Sequence, residues 1–82
     1  MSFKLVLYAN ESISEEVSSN GVLIKNESPN MIYVSSRYFD VSSTVEASLI
    51  LPYSSRELTL ENNMVHFLSP VYNSKVDVSY LD

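Results

Sequence analysis

The sequence predicts an all-β fold: a small antiparallel β-sandwich, jelly-roll-like, of about six to eight short strands in one domain spanning residues 1–82. Three observations predict it. Apolar and polar residues alternate with a period of two, most cleanly near the end, where Val76, Val78 and Tyr80 share one face and Asp77 and Ser79 the other. Turn formers punctuate the chain at short intervals, at Asn20-Gly21, Ser28-Pro29-Asn30, Pro52-Tyr53-Ser54-Ser55, Asn62-Asn63 and Pro70-Val71-Tyr72-Asn73. The capping-box spacing Ser12-Ile13-Ser14-Glu15 lacks the periodic apolar run of a helix, so at most one turn is expected there.

Taken in order, Lys4–Ala9 is the first expected strand. Its apolar stretch, Leu5 to Ala9, is too short for the core of a signal peptide and is followed at once by Asn10 and Glu11. Asn20-Gly21 has the composition of a hairpin turn, but the upstream Val17-Ser18-Ser19 is a poor strand, so a plain loop is the other reading. Val22–Asn26 and Met31–Ser35 flank the turn cluster Glu27-Ser28-Pro29-Asn30, in which proline fixes φ and asparagine tolerates left-handed backbone. Ser48–Leu51 carries three consecutive apolar residues, which suggests a second buried face. Glu57–Leu60 places Leu58 and Leu60 opposite Glu57, Thr59 and Glu61. Met64–Leu68 and Lys75–Tyr80 complete the set. The inner faces should hold Leu5, Leu7, Ile24, Ile32, Leu58, Leu60, Val76 and Val78.

Composition narrows the function. A chain this short has a marginal core and usually needs disulfides, a metal or association. It has no cysteine and one histidine, which removes disulfides and thiolate metal sites and leaves a zinc site almost without ligands. Self-association, as a homo-oligomer or on a larger assembly, is what remains, and no cofactor is expected. The net charge of -5 and the scattered basic residues Lys4, Lys25, Arg37, Arg56 and Lys75 argue against nucleic acid and anionic membranes as partners. No apolar run approaches the length of a transmembrane helix.

Candidate chemistry is sparse. Glu15-Glu16, Asp40, Glu46, Glu57, Glu61, Asp77 and Asp82 are spread out and read as solvated faces rather than a carboxylate pair held across a cleft. His66 lies in an alternating strand and reads as an outward or hydrogen-bonded histidine, with a general base or a pH-sensitive contact as alternatives. No nucleophile elbow or glycine-rich phosphate loop is present, since Gly21 is the only glycine. Asn10-Glu11-Ser12 and Asn26-Glu27-Ser28 match the glycosylation pattern, as matches by chance must in so Asn- and Ser-rich a chain. Six tyrosines and three phenylalanines remain. Partial burial, protein contact and ligand stacking are all open to them. Arg37, Tyr38, Phe39 and Tyr53 fall in expected loops and are the candidate contact residues; no catalytic, cofactor or metal residue is assigned.

The chain runs through Val22-Leu23-Ile24-Lys25-Asn26-Glu27-Ser28, Met31-Ile32-Tyr33-Val34, Val41-Ser42-Ser43, Leu49-Ile50-Leu51-Pro52, Glu57-Leu58-Thr59-Leu60, Val65-His66-Phe67-Leu68-Ser69 and Val76-Asp77-Val78-Ser79-Tyr80-Leu81-Asp82. The order and spacing of these pieces resemble a family of small β-rich accessory proteins of tailed-phage virions. The family has glycine after the proline, where this chain has Tyr53, and a glycine in the loop between Val41 and Leu49. Those turns are therefore expected to take other conformations, with Tyr53 at an exposed tip. The resemblance implies a non-enzymatic virion protein of a bacteriophage, a capsid decoration or minor structural subunit. It would be made in the host cytoplasm, with itself and virion proteins such as the major capsid protein as partners. A receptor- or carbohydrate-binding module and a small acidic phage inhibitor of a host protein are the alternative readings.

Overall fold

The structure is a computed structural model and describes residues 1–81, without the side chain of Glu46; Asp82, the last residue of the closing motif, lies outside the described residues. Eight strands form two four-stranded sheets: β1 Ser2–Leu7, β2 Ser12–Glu16, β3 Gly21–Asn26, β4 Ile32–Ser35, β5 Ser48–Ile50, β6 Ser55–Thr59, β7 Met64–Leu68 and β8 Ser74–Tyr80. The first sheet has the order β1-β8-β3-β6 and the second β2-β7-β4-β5, with every pairing antiparallel.

The pairing has a simple logic. The first strand pairs with the last, β2 with β7, β3 with β6, and β4 with β5. The chain is thus one long two-stranded ribbon, bent back between β4 and β5 and wound on itself. Two further pairings, β8 with β3 and β7 with β4, zip neighbouring turns of the ribbon together. This is the jelly-roll arrangement of a double sheet. Apart from β4 to β5, each successive strand lies in the other sheet, so the loops fall at two opposite ends.

The inner faces meet where period-two alternation puts them. Leu7, Val22, Ile24, Ile32, Val34, Ile50, Leu60, Val65, Phe67, Val76 and Val78 are buried in one cluster, with Phe3, Leu5, Ile13, Leu58 and Tyr80 packed partly buried against it. All eight residues expected inside are therefore in or against the core. A buried side chain of this size is worth about 1.5–3 kcal/mol in removed apolar surface.

Two expectations are corrected, and the open reading of Asn20-Gly21 is decided for the plain loop. Ser12–Glu16 is a strand, not a helical turn. Each of its residues is in register with β7, from Ser12 opposite Leu68 to Glu16 opposite Met64, and Ile13 turns inward. A capping box without an apolar stripe to bury does not hold a helix against five ladder positions. The single helical turn among the described residues is instead the 3-10 segment Thr44–Glu46. Leu49-Ile50-Leu51 does not have two buried faces: Ile50 is buried, while Leu49, on an edge strand, and Leu51, entering a turn, are exposed. Asn20-Gly21 makes no hairpin, because β2 and β3 belong to different sheets.

One end of the sandwich carries the connections β1–β2, β3–β4, β5–β6 and β7–β8, spanning residues 8–11, 27–31, 51–54 and 69–73. They are tied together by asparagines. The Asn26 side chain is fully buried. Its Nδ2 donates to the carbonyls of Asn30 at 2.6 Å, Leu51 at 3.2 Å and Ile50 at 3.3 Å. Its Oδ1 accepts from the Ser28 hydroxyl at 2.7 Å and the Ser28 N–H at 3.1 Å, and its backbone N–H donates to Ser54 at 2.9 Å. Asn30 Nδ2 donates to the Asn73 carbonyl at 2.9 Å, and Asn73 Oδ1 accepts from the Ala9 N–H at 2.8 Å. Ser69 and Ser74, both buried, share a 2.6 Å hydroxyl contact, and Ser69 donates to the Tyr72 carbonyl. The Asn26-Glu27-Ser28 triplet is therefore an internal turn device, with its amide nitrogen turned away from solvent.

Removing this network is expected to cost much of a small domain's stability. Asn26→Ala strips partners from the Leu51 and Ile50 carbonyls and from Ser28, and should lower unfolding free energy by about 3 kcal/mol. Ser28→Ala should cost about 1 kcal/mol. Urea unfolding followed by far-UV circular dichroism checks both; equal, small effects would contradict the assignment.

Candidate functional site

The four candidate contact residues do not form one site. Arg37 and Tyr38 follow β4, on the side of the molecule where β6 turns into β7. Arg37 makes a two-point ion pair with Glu61, Nε to Oε2 at 3.0 Å and Nη2 to Oε1 at 3.3 Å. Both side chains are solvated, so the pair adds little to stability. Tyr38 is 67% exposed and stands edge-on to His66, with ring centroids 5.9 Å apart.

Phe39 is not a contact residue. Only 1% of it is exposed. Ser12 Oγ donates to its carbonyl at 3.2 Å, and His66, against Tyr38, belongs to the outer face of the second sheet. The loop 36–47 therefore folds back over that outer face. Leu68, which stands opposite Tyr33 and Ser12 on the same face, is fully buried in consequence. Phe39 and Leu68 are both buried outside the main core cluster. The loop was expected to expose its aromatics because no period marks it; the apolar outer position of Leu68 is the signal that something must cover it.

Tyr53 lies at the opposite end, in the loop between β5 and β6, 65% exposed. The Ser54 N–H donates to the Leu51 carbonyl at 3.1 Å, which makes Leu51-Pro52-Tyr53-Ser54 a four-residue turn. Pro52 occupies the second position, where its fixed φ belongs. Tyr53 occupies the third at φ 58°. This is the slot that prefers glycine, so the expectation of a different turn conformation is overturned: the tyrosine adopts the glycine geometry. The left-handed backbone costs an L-residue about 1–2 kcal/mol. Asn10, Asn62 and Asn63 also have positive φ, but asparagine tolerates it.

Around Tyr53 the same end exposes Tyr8, Met31, Leu51, Val71 and Tyr72. Met31 lies beside Leu51 by continuation of the β4–β5 register, and a shallow groove of about 200 Å³ runs between Met31 and Pro70-Val71-Tyr72. Loops 51–54 and 69–73 contain no charged residue. Of these residues the sequence marks Tyr53 as a contact candidate and leaves Tyr8 and Tyr72 open with the other tyrosines; Val71 reads only as a turn residue, and Met31 and Leu51 only as strand ends.

Two features elsewhere bear on chemistry. Ser14 Oγ lies 2.6 Å from His66 Nδ1, a pairing joined by the β2–β7 register and invisible in the sequence. Burial holds the His66 imidazole below its ordinary pKa of 6.5. The basic residues, scattered in sequence, are gathered in part: Lys4 and Lys25 flank Asp77 across β1, β8 and β3, and Lys75 stands next along β8. Asp77 and the Lys4–Glu27 ion pair at 2.9 Å offset the charge, so this face is mixed rather than cationic.

Tyr53→Gly should stabilise the fold by about 1 kcal/mol, raising Tm by roughly 4–8 °C in calorimetry, because it relieves the left-handed strain; a lower Tm would contradict the turn assignment. The pH dependence has two separable parts. Since the folded state lowers the His66 pKa, the unfolded chain binds that proton more readily, and stability should fall as pH drops below about 6.5. His66→Gln should remove this limb. Asp40, through Ser42 and Ser43, and Glu61, through Arg37, have folded pKa values below 3.8 and 4.5, so their contribution is lost only in more acidic solution and should persist in the variant. Urea midpoints between pH 7.5 and pH 3, about ten points each, resolve the two.

Comparison of the chain with protein families, curated proteins and solved structures finds no match.

Proposed function

We propose that this protein is a non-enzymatic structural subunit of a virus particle, in keeping with the resemblance to tailed-phage accessory proteins, and that it acts by docking and self-association. The observation that carries the reading is the surface. Tyr8, Tyr38, Tyr53 and Tyr72 are all exposed, together with Met31, Leu51 and Val71, on a chain of only 82 residues. Large aromatics with a polar tip, in surroundings poor in charge, are what the centres of protein interfaces contain.

The jelly roll agrees by analogy, since double-sheet jelly rolls serve viral capsids as well as lectins. The free edges of β1 and β6 in one sheet, and of β2 and β5 in the other, are available for pairing between copies. The lectin precedent, with exposed tyrosines able to stack on a sugar, supports a carbohydrate-binding module as the second reading.

Quantitative mass spectrometry of purified particles from the source tests the reading. Hundreds of copies per particle are expected for a decoration protein, and a few to a few dozen for a portal or tail subunit. Absence from clean particles would overturn it. Binding to a glycan array that is lost in Tyr53→Ala would favour the second reading.

A further inference from the structure

Resting on the self-association in that reading, we infer that two copies pair through the free edge of β1, antiparallel about Leu5, so that their four-stranded first sheets become one continuous sheet.

The loop ends do not choose a partner. Both expose large side chains, Tyr53 and Tyr72 at one, Tyr38 and Leu81 at the other. The four sheet edges do differ, in how they are guarded. β5 has only three residues. β2 ends on Glu15-Glu16. β6 carries Arg56 and Glu57, and Arg56 stands opposite the buried Ile24, on the inward side. Short strands, charges and inward-pointing charges are the ordinary means of keeping an edge from pairing.

β1 lacks these guards. It is six residues long, without proline, and its register with β8 runs unbroken from Ser2 opposite Ser79 to Leu7 opposite Ser74. Its one charge, Lys4, is drawn back across the sheet to Glu27 at 2.9 Å, just past the end of β3. Val6 is 44% exposed, and Phe3 and Leu5 are only partly buried. A groove of about 320 Å³ lies along the edge, lined by Lys4, Leu5, Val6, Glu27 and Lys75. The Tyr80 N–H donates to the Met1 carbonyl, so the odd-numbered residues of β1 bond β8. The backbone groups of Ser2, Lys4 and Val6 therefore point outward.

What fits this edge is the same edge of a second copy. A two-fold axis that continues the sheet sets one residue of β1 opposite itself. Set about Lys4, the pairing opposes two ammonium groups. Set about Phe3, it ends at Leu5 and leaves Val6 uncovered. Set about Leu5, Lys4 and Val6 exchange backbone bonds with Val6 and Lys4 of the second copy, about four hydrogen bonds in all. On the inner side Leu5 meets Leu5 and Phe3 meets Leu7. On the outer side the Lys4 stem lies over Val6, with its charge left at Glu27. Each exposed apolar residue of the edge is covered, and no charge stands opposite another. A short chain without cysteine gains from such pairing.

Sedimentation velocity over about 1 μM to 1 mM protein tests this, with far-UV circular dichroism confirming the fold of each variant. Wild type should pass from monomer to dimer as concentration rises. Val6→Pro removes an outward N–H at an edge position that tolerates proline, and should weaken the dimer about tenfold or more. Glu57→Pro does the same to β6 and should leave the dimer unchanged. Val6→Lys sets a second ammonium opposite Lys4 and should also weaken it, whereas Val6→Glu should preserve it; this pair carries the test if Val6→Pro does not fold. Leu5→Cys reads the register. Facing residues of a non-hydrogen-bonded pair have Cα atoms about 4.5 Å apart, within disulfide range, so this variant should crosslink on mild oxidation and Thr59→Cys on β6 should not.

Wild type that stays monomeric would overturn the inference. So would a dimer that survives both Val6→Pro and Val6→Lys, one lost to Glu57→Pro, or one that leaves Leu5→Cys uncrosslinked. A monomer whose attachment to stripped particles is lost in Val6→Pro would overturn it in favour of a strand from another virion protein. The virion reading is decided separately, by copy number on purified particles: absence there, with the β1 dimer intact, would overturn that reading and leave the pairing standing.

Discussion

The carboxamide of Asn26 is the constraint on which the rest of the molecule hangs. It sits at the end of β3, fully buried, where the first sheet gives way to loops. A buried amide without partners would cost several kilocalories per mole. Here its two ends reach Ser28, Asn30, Ile50 and Leu51, so satisfying one side chain fixes where two separate loops run. Among the described residues, every buried side-chain nitrogen or oxygen has a partner. The polar network thus ties together the loops of the end at which Tyr8, Met31, Leu51, Tyr53, Val71 and Tyr72 are exposed.

The ribbon topology explains why a local device has such reach. Winding a paired ribbon places each loop far in sequence from its spatial neighbours; Asn30 and Asn73 touch across 43 positions. Long-range closure of this kind is slow and entropically costly to form. Short hydrogen bonds between loops that meet only in the finished fold hold those closures in place. They also hold the exposed side chains of the same end in fixed positions. Strain at Tyr53, exposure of its neighbours and rigidity beneath them belong to one design, in which stability spent at the surface is recovered from the buried amide just below.

Much of the fold was legible because the alternation of apolar and polar residues is local. Val76 and Val78, or Leu58 against Glu57, declare their faces without knowledge of any partner strand. The pairing of those strands is not local, and only the finished register brings Ser14 to His66 or gathers Lys4 and Lys25 around Asp77. β2 is hidden in the sequence because an edge strand with Ser12, Ser14 and Glu16 on its outer side shows one inward apolar residue, Ile13, in a segment whose spacing also suits a helix cap. The burial of Phe39 is hidden for a related reason: an irregular loop gives no sign that it will fold back onto a sheet. Tyr53 stands at an exposed tip as the sequence reads it, but the left-handed backbone beneath it is set by the turn and not announced by its residue type.

The central claim is that the exposed loop end is a rigid surface held by the Asn26 side chain. Native-state hydrogen exchange by NMR tests it most directly. The account predicts that the Asn26 Nδ2 protons, with the N–H groups of Ser28 and Ser54, exchange about as slowly as the core ladder between β3 and β8, opening only with global unfolding. Exchange of these protons at rates near those of free amides, while the β3–β8 ladder stays protected, would show a loop end that frays independently and would contradict the account.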